Sequence, residues 1–133
     1  MCVAQTGSGT ERGQYRTRRV LRLRRVERDE RAFNAISLVA AITGTSLETL
    51  VRVGRGSRRV CGARHLAMYL AHVAVGRQYL QVARLFGRDR STVMSACAQI
   101  EDRRDDPAFD AYVTTLERLL NEDAEATEYA DAA

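Results

Sequence analysis

The sequence predicts an all-α fold, a compact bundle of about five to six helices. Three observations carry that prediction. Apolar residues recur at helical spacing in one segment after another, and no stretch reads as a strand. Gly44, Gly76, Gly87 and the single proline, Pro107, fall at the ends of those segments. The chain has 133 residues and 45% hydrophobic content, which suits one small domain with tails.

Taken in order, residues 1–13 hold Gly7, Ser8, Gly9 and Gly13 with little apolar content, and are expected to be disordered. Residues 14–28 interleave Arg16, Arg18, Arg19, Arg22, Arg24, Arg25 and Arg28 with Val20, Leu21, Leu23 and Val26. Two readings stand side by side. One is a basic arm or helix that meets phosphates; the other is a solvated extension that packs a few aliphatics on the core. Residues 1–28 are thus predicted as a flexible basic extension, 29–121 as the domain and 122–133 as an acidic tail.

Within the domain, Phe33, Ile36, Val39 and Ile42 or Thr43 keep helical spacing up to Gly44. Thr45 and Glu48 form a capping-box pattern for a short helix over Leu47, Leu50 and Val51. Residues 52–60, RVGRGSRRV, read as a glycine- and arginine-rich loop. A long helix is expected from about residue 62 to 75, burying Leu66, Leu70 and Val73, with Ala67 and Ala71 allowing close approach. A short helix follows over 78–86 with Leu80, Val82, Ala83 and Phe86 inward. Asp89 or Ser91 caps the next, which runs to about Arg104 with Val93, Ala96, Cys97 and Ile100 on one face. Asp106 and Pro107 supply a cap and a first-turn proline. Phe109, Tyr112, Val113, Leu116, Leu119 and Leu120 give the last stripe. The acidic run after Asn121 is expected to fray.

Composition narrows the chemistry. All 21 basic residues are arginine, with no lysine. That excludes a Walker A phosphate loop and lysine Schiff-base catalysis, both of which need a lysine amine. Coding-sequence composition is the plainer source of the bias, yet arginine is also suited to bidentate contact with phosphate and guanine. Residues 1–100 hold 18 Arg against 6 acids, and residues 101–133 hold 3 against 11. A basic body of this kind suits a polyanion partner.

Cys2, Cys61 and Cys97 fit neither a disulfide framework nor zinc spacing. His65 and His72 stand seven apart, where a metal pair prefers four, and His72 reads better as a phosphate-facing side chain. Asp105 and Asp106 read as a cap rather than an acid–base pair. No nucleophile set, metal set or cofactor loop is visible, so neither enzyme activity nor a cofactor is expected. No membrane span or signal segment is visible. The expected location is cytoplasmic, associated with the nucleoid.

The stretch YLQVARLFGRDRSTVMSAC, residues 79–97, is the most informative. A short helix pattern, a glycine turn and a polar helix start together read as a helix-turn-helix. A recognition helix enters the major groove by its N-terminal end, where base-reading side chains gather. Here those are Arg88, Asp89, Arg90, Ser91 and Thr92. Arginine can read guanine, Asp can accept from cytosine, and Thr can offer a hydroxyl or a methyl group. The plainer alternative is a surface ion pair at Arg88 and Asp89 and an ordinary cap at Ser91 and Thr92.

The specific residues go further. ARHLAMYLA (63–71), VARLFGRDRSTV (82–93) and SACAQIE (95–101), with TSLETLV (45–51), resemble the C-terminal DNA-binding domain of the bacterial replication initiator DnaA. The likeness covers about two-thirds of the chain, from Ala35 to about Leu120. It implies an all-helical domain that reads a short duplex box, without the initiator's ATPase module. In the family the Arg-Asp-His-Thr-Thr segment contacts bases, and an arginine of the basic loop enters the minor groove. Arg88, Asp89, Ser91 and Thr92 match in kind, and Arg64 matches the arginine that opens the long helix.

Three departures stand out. Arg90 replaces the family histidine, one glycine of the usual FGGRDHTTV pair is missing, and the minor-groove arginine falls on Gly56. Arg55 and Arg58 are the candidate replacements. Arg59, His72 and Arg77 complete the residues expected at DNA. Double-stranded DNA is the expected partner, read in the service of replication or transcription. The alternative is an interaction protein that keeps the fold, binds a replication or transcription protein and does not read sequence.

Overall fold

A computed structural model describes residues 23–52, 54 and 56–132, and every regular element among them is a helix. Residues 1–22, with Cys2, Arg16, Arg18, Arg19 and Arg22, lie outside the described residues, as do Val53 and Arg55. Residues 23–28 are helical (α1). The others are α2 (Glu30–Thr43), α3 (Leu47–Leu50), α4 (Arg58–Val73), α5 (Tyr79–Phe86), α6 (Arg90–Arg103) and α7 (Pro107–Ala132).

Local chemistry explains most boundaries. Asp29 separates α1 from α2 and caps α2, its Oδ1 accepting from the Ala32 N–H at 3.2 Å. Gly44 closes α2 in the left-handed region, at φ 69. The cap of α3 is Ser46, not Thr45: Ser46 Oγ accepts from the Thr49 N–H at 3.1 Å. Thr45 is still part of the α2 ending, its N–H bonded to the Ala40 carbonyl at 3.0 Å, so the first extended residue is one later.

Helix α4 starts at Arg58, four residues before the expected start. Ser57 caps it, accepting from the Val60 N–H at 3.3 Å. Gly62 therefore lies inside a helix, facing open space where a side chain would meet nothing within 4 Å. A glycine there costs only about 1 kcal/mol relative to alanine.

The core forms around α4, which packs against α2 on one side and α6 on the other. Ala67 and Ala71 are fully buried and let those helices approach closely. Ile36, Val39, Leu50, Met68, Tyr69, Leu70, Val82, Phe86, Val93 and Ile100 fill the interior. Each large apolar side chain buried there contributes about 1.5–3 kcal/mol. The buried face of α5 is Val82, Ala83, Leu85 and Phe86; Leu80 is exposed. Ile42, Val73, Tyr112 and Leu119 are exposed too. Cys97 is buried and Cys61 half-buried, both as free thiols, and burial pushes the Cys97 thiol up to about 11.

Both ends differ from expectation. Val26 of α1 is fully buried and Leu23 packs against the core, so at least residues 23–28 are not a flexible arm. The acidic segment past Asn121 does not fray: α7 continues to Ala132. Leu120 and Ala124 line a cavity with Asn34 and Val75, and Ala124 to Ala126 are residues that favour a helix.

Arg104, at the end of α6, joins three helices. Its guanidinium donates to Asp110 Oδ1 at 2.6 Å, to the Tyr69 hydroxyl at 3.0 Å, to Thr114 Oγ1 at 3.1 Å and to Glu117. Tyr69 in turn donates to Glu101 Oε1 at 2.6 Å. Burial and that carboxylate hold the phenol at about 12, firmly protonated and able to donate. No helix among the described residues is long and apolar enough to cross a membrane.

Asp29 also makes a bidentate ion pair with Arg77, at 2.7 and 2.9 Å. The Arg77 hydrogen bond holds the Asp29 carboxyl below its usual range. A depressed carboxyl stabilises the fold above its unfolded pKa, about 3.9, and that gain disappears as pH falls through the folded value. Asp29→Asn keeps a competent cap and removes the ion pair. Urea melts should show it about 1 kcal/mol less stable than the parent between pH 5 and 8. That gap should close as the pH falls through the depressed folded value of Asp29.

Candidate nucleic-acid interface

Helix α5 ends at Gly87, at φ 62, where its N–H and that of Arg88 both reach the Ala83 carbonyl. A side chain is strained at that φ, so glycine makes the turn. Asp89 then opens α6 with extended backbone, its carbonyl accepting from the Thr92 and Val93 N–H groups. Its side chain makes no cap hydrogen bond. Neither expected cap therefore works through its side chain: Asp89 caps by backbone alone and Ser91 lies within the first turn.

The geometry of α6 divides its surface. Val93, Ala96, Cys97 and Ile100 face the core, as expected. Asp89, Arg90, Ser91 and Thr92 are exposed at its N-terminal end. The first N–H groups of a helix have no partner within it, so this end favours a phosphate.

Arg88 behaves differently from its neighbours. It is half-buried, and its guanidinium donates to the carbonyls of Phe86 at 3.0 Å, Arg52 at 2.9 Å and Gly54 at 2.8 Å. It ties the loop between α3 and α4 to the turn before α6. Arg64 is 4% exposed and donates from Nε to the Leu50 carbonyl at 2.8 Å and from Nη2 to that of Thr49 at 3.1 Å. Its guanidinium is bonded to the end of α3, and Arg64 also lines the groove beside α6. Arg59 donates to the Thr43 carbonyl and clasps the end of α2.

The loop itself excludes an arginine at its central position. Gly56 has φ 73, and a Cβ there would stand 3.1 Å from Val60 Cγ1. Arg58 is exposed one turn away and lines a groove with Gly56, His65, Gln99 and Arg103. At the α4–α5 corner, His72 Nδ1 donates to the Arg77 carbonyl at 2.7 Å, and its ring stacks on Tyr79 at 4.0 Å. Arg77 is held by Asp29. Neither lines the groove beside α6.

That groove, of about 660 Å³, brings together Gly54 of the loop, His65 of α4, Arg88 of the turn, and Ser91, Thr92 and Gln99 of α6. His65, Ser95 and Gln99 were not among the expected site residues. Ser91, Ser95 and Gln99 are successive steps of four along α6, a spacing that could have found them. His65 gave no such signal, since only the packing of α4 on α6 brings it there. Burial first, then Arg64 and Arg103, lower the His65 pKa, so the ring is neutral near pH 7. Among the described residues no group of three or more His, Cys, Asp or Glu side chains could hold a metal ion.

Comparison with known proteins meets this geometry. The family model described as bacterial dnaA protein helix-turn-helix matches residues 34–100, half of the chain, from α2 to the buried Ile100 of α6. The chain is 37% identical over 87 residues to the chromosomal replication initiator protein DnaA of Agrobacterium fabrum, covering 64% of this chain and 18% of that protein. It is 41% identical over 69 residues to DnaA of Sphingopyxis alaskensis, covering 50% and 15%. It is 44% identical over 59 residues to DnaA of Acinetobacter baumannii, covering 43% and 13%. The chain thus spans less than a fifth of the length of these relatives. The matched span holds α5, the Gly87 turn and α6 up to Ile100, and the chain belongs to the DNA-binding helix-turn-helix family of the bacterial DnaA proteins.

Proposed function

We propose that this protein binds double-stranded DNA in a sequence-dependent way, as a regulator of replication or transcription. The observation that carries the reading is the division of α6. One face is locked into the core, while Asp89, Arg90, Ser91 and Thr92 project together from its N-terminal end. That is the end a helix-turn-helix presents to major-groove base edges. Arg90 suits guanine, Asp89 suits the cytosine amino group, and Thr92 suits a thymine methyl group. The loop held by Arg88 lies beside this end, while Arg58 shares a groove with Gln99 and Arg103 further along α6; both would supply contacts to the flanking backbone. The relatives are named as replication initiators, which favours a replication role.

The test is selection of sites from a random duplex pool, followed by binding measurements. Arg90→Ala and Thr92→Ala should each weaken binding to the selected site about 5- to 150-fold, the span of one base contact. Binding to an unrelated duplex should change far less. Unchanged affinity for the selected site in both variants would remove the reading. The absence of any duplex binding at low salt would favour an interaction protein instead.

His65 provides a second check. A phosphate brought beside it favours the charged ring, so its pKa should rise when duplex is added. The linked expectation is that affinity strengthens as pH falls from about 8 to 6, and that His65→Gln flattens this dependence. NMR titration of the His65 ring with and without duplex measures it directly. An unmoved pKa would place His65 outside the contact surface.

A further inference from the structure

A second basic surface lies on the far side of α5. Its outer face, the end of α1 and the start of α2 enclose a groove of about 610 Å³ lined by Arg25, Arg28, Arg31, Arg77 and Arg84. It shares no residue with the groove beside α6. The packing that builds it is specific. Val26 is buried, which turns Arg25 and Arg28 outward. Arg25 Nη1 donates to the Arg84 carbonyl at 3.2 Å and fixes α1 against α5.

The local charges do not cancel. Asp29 lies in the groove but is neutralised by its bidentate pair with Arg77. Glu30 is the remaining acid among the lining residues. Arg28, Arg31 and Arg84 are exposed and form no ion pair among the described residues. Three elements thus present guanidinium groups in one concave strip, with Arg31 also bordering the cavity that holds Asp123 and Glu128. Guanidinium forks match phosphate oxygens, and a row of them suits a polymer of phosphates better than a single anion.

We propose that this strip is a second, sequence-independent contact for the phosphate backbone of duplex DNA, outside the segment read by α6. The inference rests on the proposed DNA reading and extends it. The bound duplex continues past the α6 footprint and bends towards α5. An acidic protein is the competing occupant; the strip favours DNA because Arg84 stands on α5, the helix that precedes the Gly87 turn and α6.

The experiment uses the full chain and fluorescence anisotropy. The selected site is placed in a duplex of about 12 bp and in one of about 40 bp, each titrated across salt. The parent should bind the longer duplex more tightly. The triple variant Arg28→Ala, Arg31→Ala, Arg84→Ala should lose that advantage, about tenfold, with its salt slope on the long duplex reduced by about 2 to 3. Its binding to the short duplex should be unchanged. Adding an unlabelled second duplex to the saturated short complex should give no larger complex by light scattering; growth would mean a second duplex in the strip and would overturn the proposal.

The matching lysine variant, Arg28→Lys, Arg31→Lys, Arg84→Lys, should retain most of the long-duplex advantage, since charge is kept. Thermal melts of both variants check the fold. Equal losses on both duplex lengths, or no loss on either, would overturn the proposal. Arg90→Ala run in parallel separates the two ideas. If it abolishes site preference while the triple alanine variant binds both lengths as the parent does, the strip falls and the DNA reading stands.

Discussion

Arg64 is the buried charge around which the interface is arranged. Removing a guanidinium from water is costly, and burial lowers its pKa. The cost is offset by charge-assisted bonds to the Leu50 and Thr49 carbonyls at the end of α3. One side chain of α4 thereby satisfies the end of α3 and fixes the point from which the loop departs. Leu50 and Val51 are buried by the same docking. Arg88 then holds the loop from the opposite side, at the Arg52 and Gly54 carbonyls. The position of the loop relative to α6 follows from two arginines bonded to main chain. A lysine would offer a point charge in place of each planar fork, which is why these positions depend on arginine specifically.

This use of arginine also explains which parts of the site could be read from the sequence. The turn and the buried face of α6 were legible, because Gly87 and the spacing of Val93, Ala96, Cys97 and Ile100 are local signals. The roles of Arg64, Arg88 and Arg59 were not. An arginine that faces solvent and one that satisfies carbonyls look alike in sequence; the difference lies in where another segment's carbonyls end up. The start of α4 was missed for a related reason: Gly62 reads as a breaker, but the Ser57 cap and open space at Gly62 let the helix begin earlier. On α5, Leu80 and Leu85 are equally apolar, and only the placement of α4 and α6 decides that Leu85 is the one buried.

The division of charge along the chain acquires a spatial meaning. The acidic half of α7 is a continuation of a helix anchored by Val113, Leu116 and Leu120. It runs alongside the start of α2, where Asp123 and Glu128 line a cavity with Glu30 and Arg31. None of those residues lines the groove beside α6. At physiological salt the field of an exposed charge decays over about 8 Å. A fixed acidic helix on that side therefore shapes the long-range potential without covering the N-terminal end of α6.

The start of α6 departs from the pattern FGGRDHTTV. With one glycine the turn is shorter, yet it closes: Gly87 takes the left-handed conformation and two successive N–H groups converge on the Ala83 carbonyl. Arg88, directly after that glycine, folds back to Phe86 and the loop and so becomes part of the scaffold. The exposed arginine at this end of α6 is then Arg90, two residues further on, where the pattern has a histidine. A histidine gains or loses its charge near neutral pH, while a guanidinium keeps it and offers a bidentate fork. Under the proposed DNA reading, Arg90 takes the place of Arg88 as the exposed guanidinium at the start of α6, and the base step it would reach shifts along the groove.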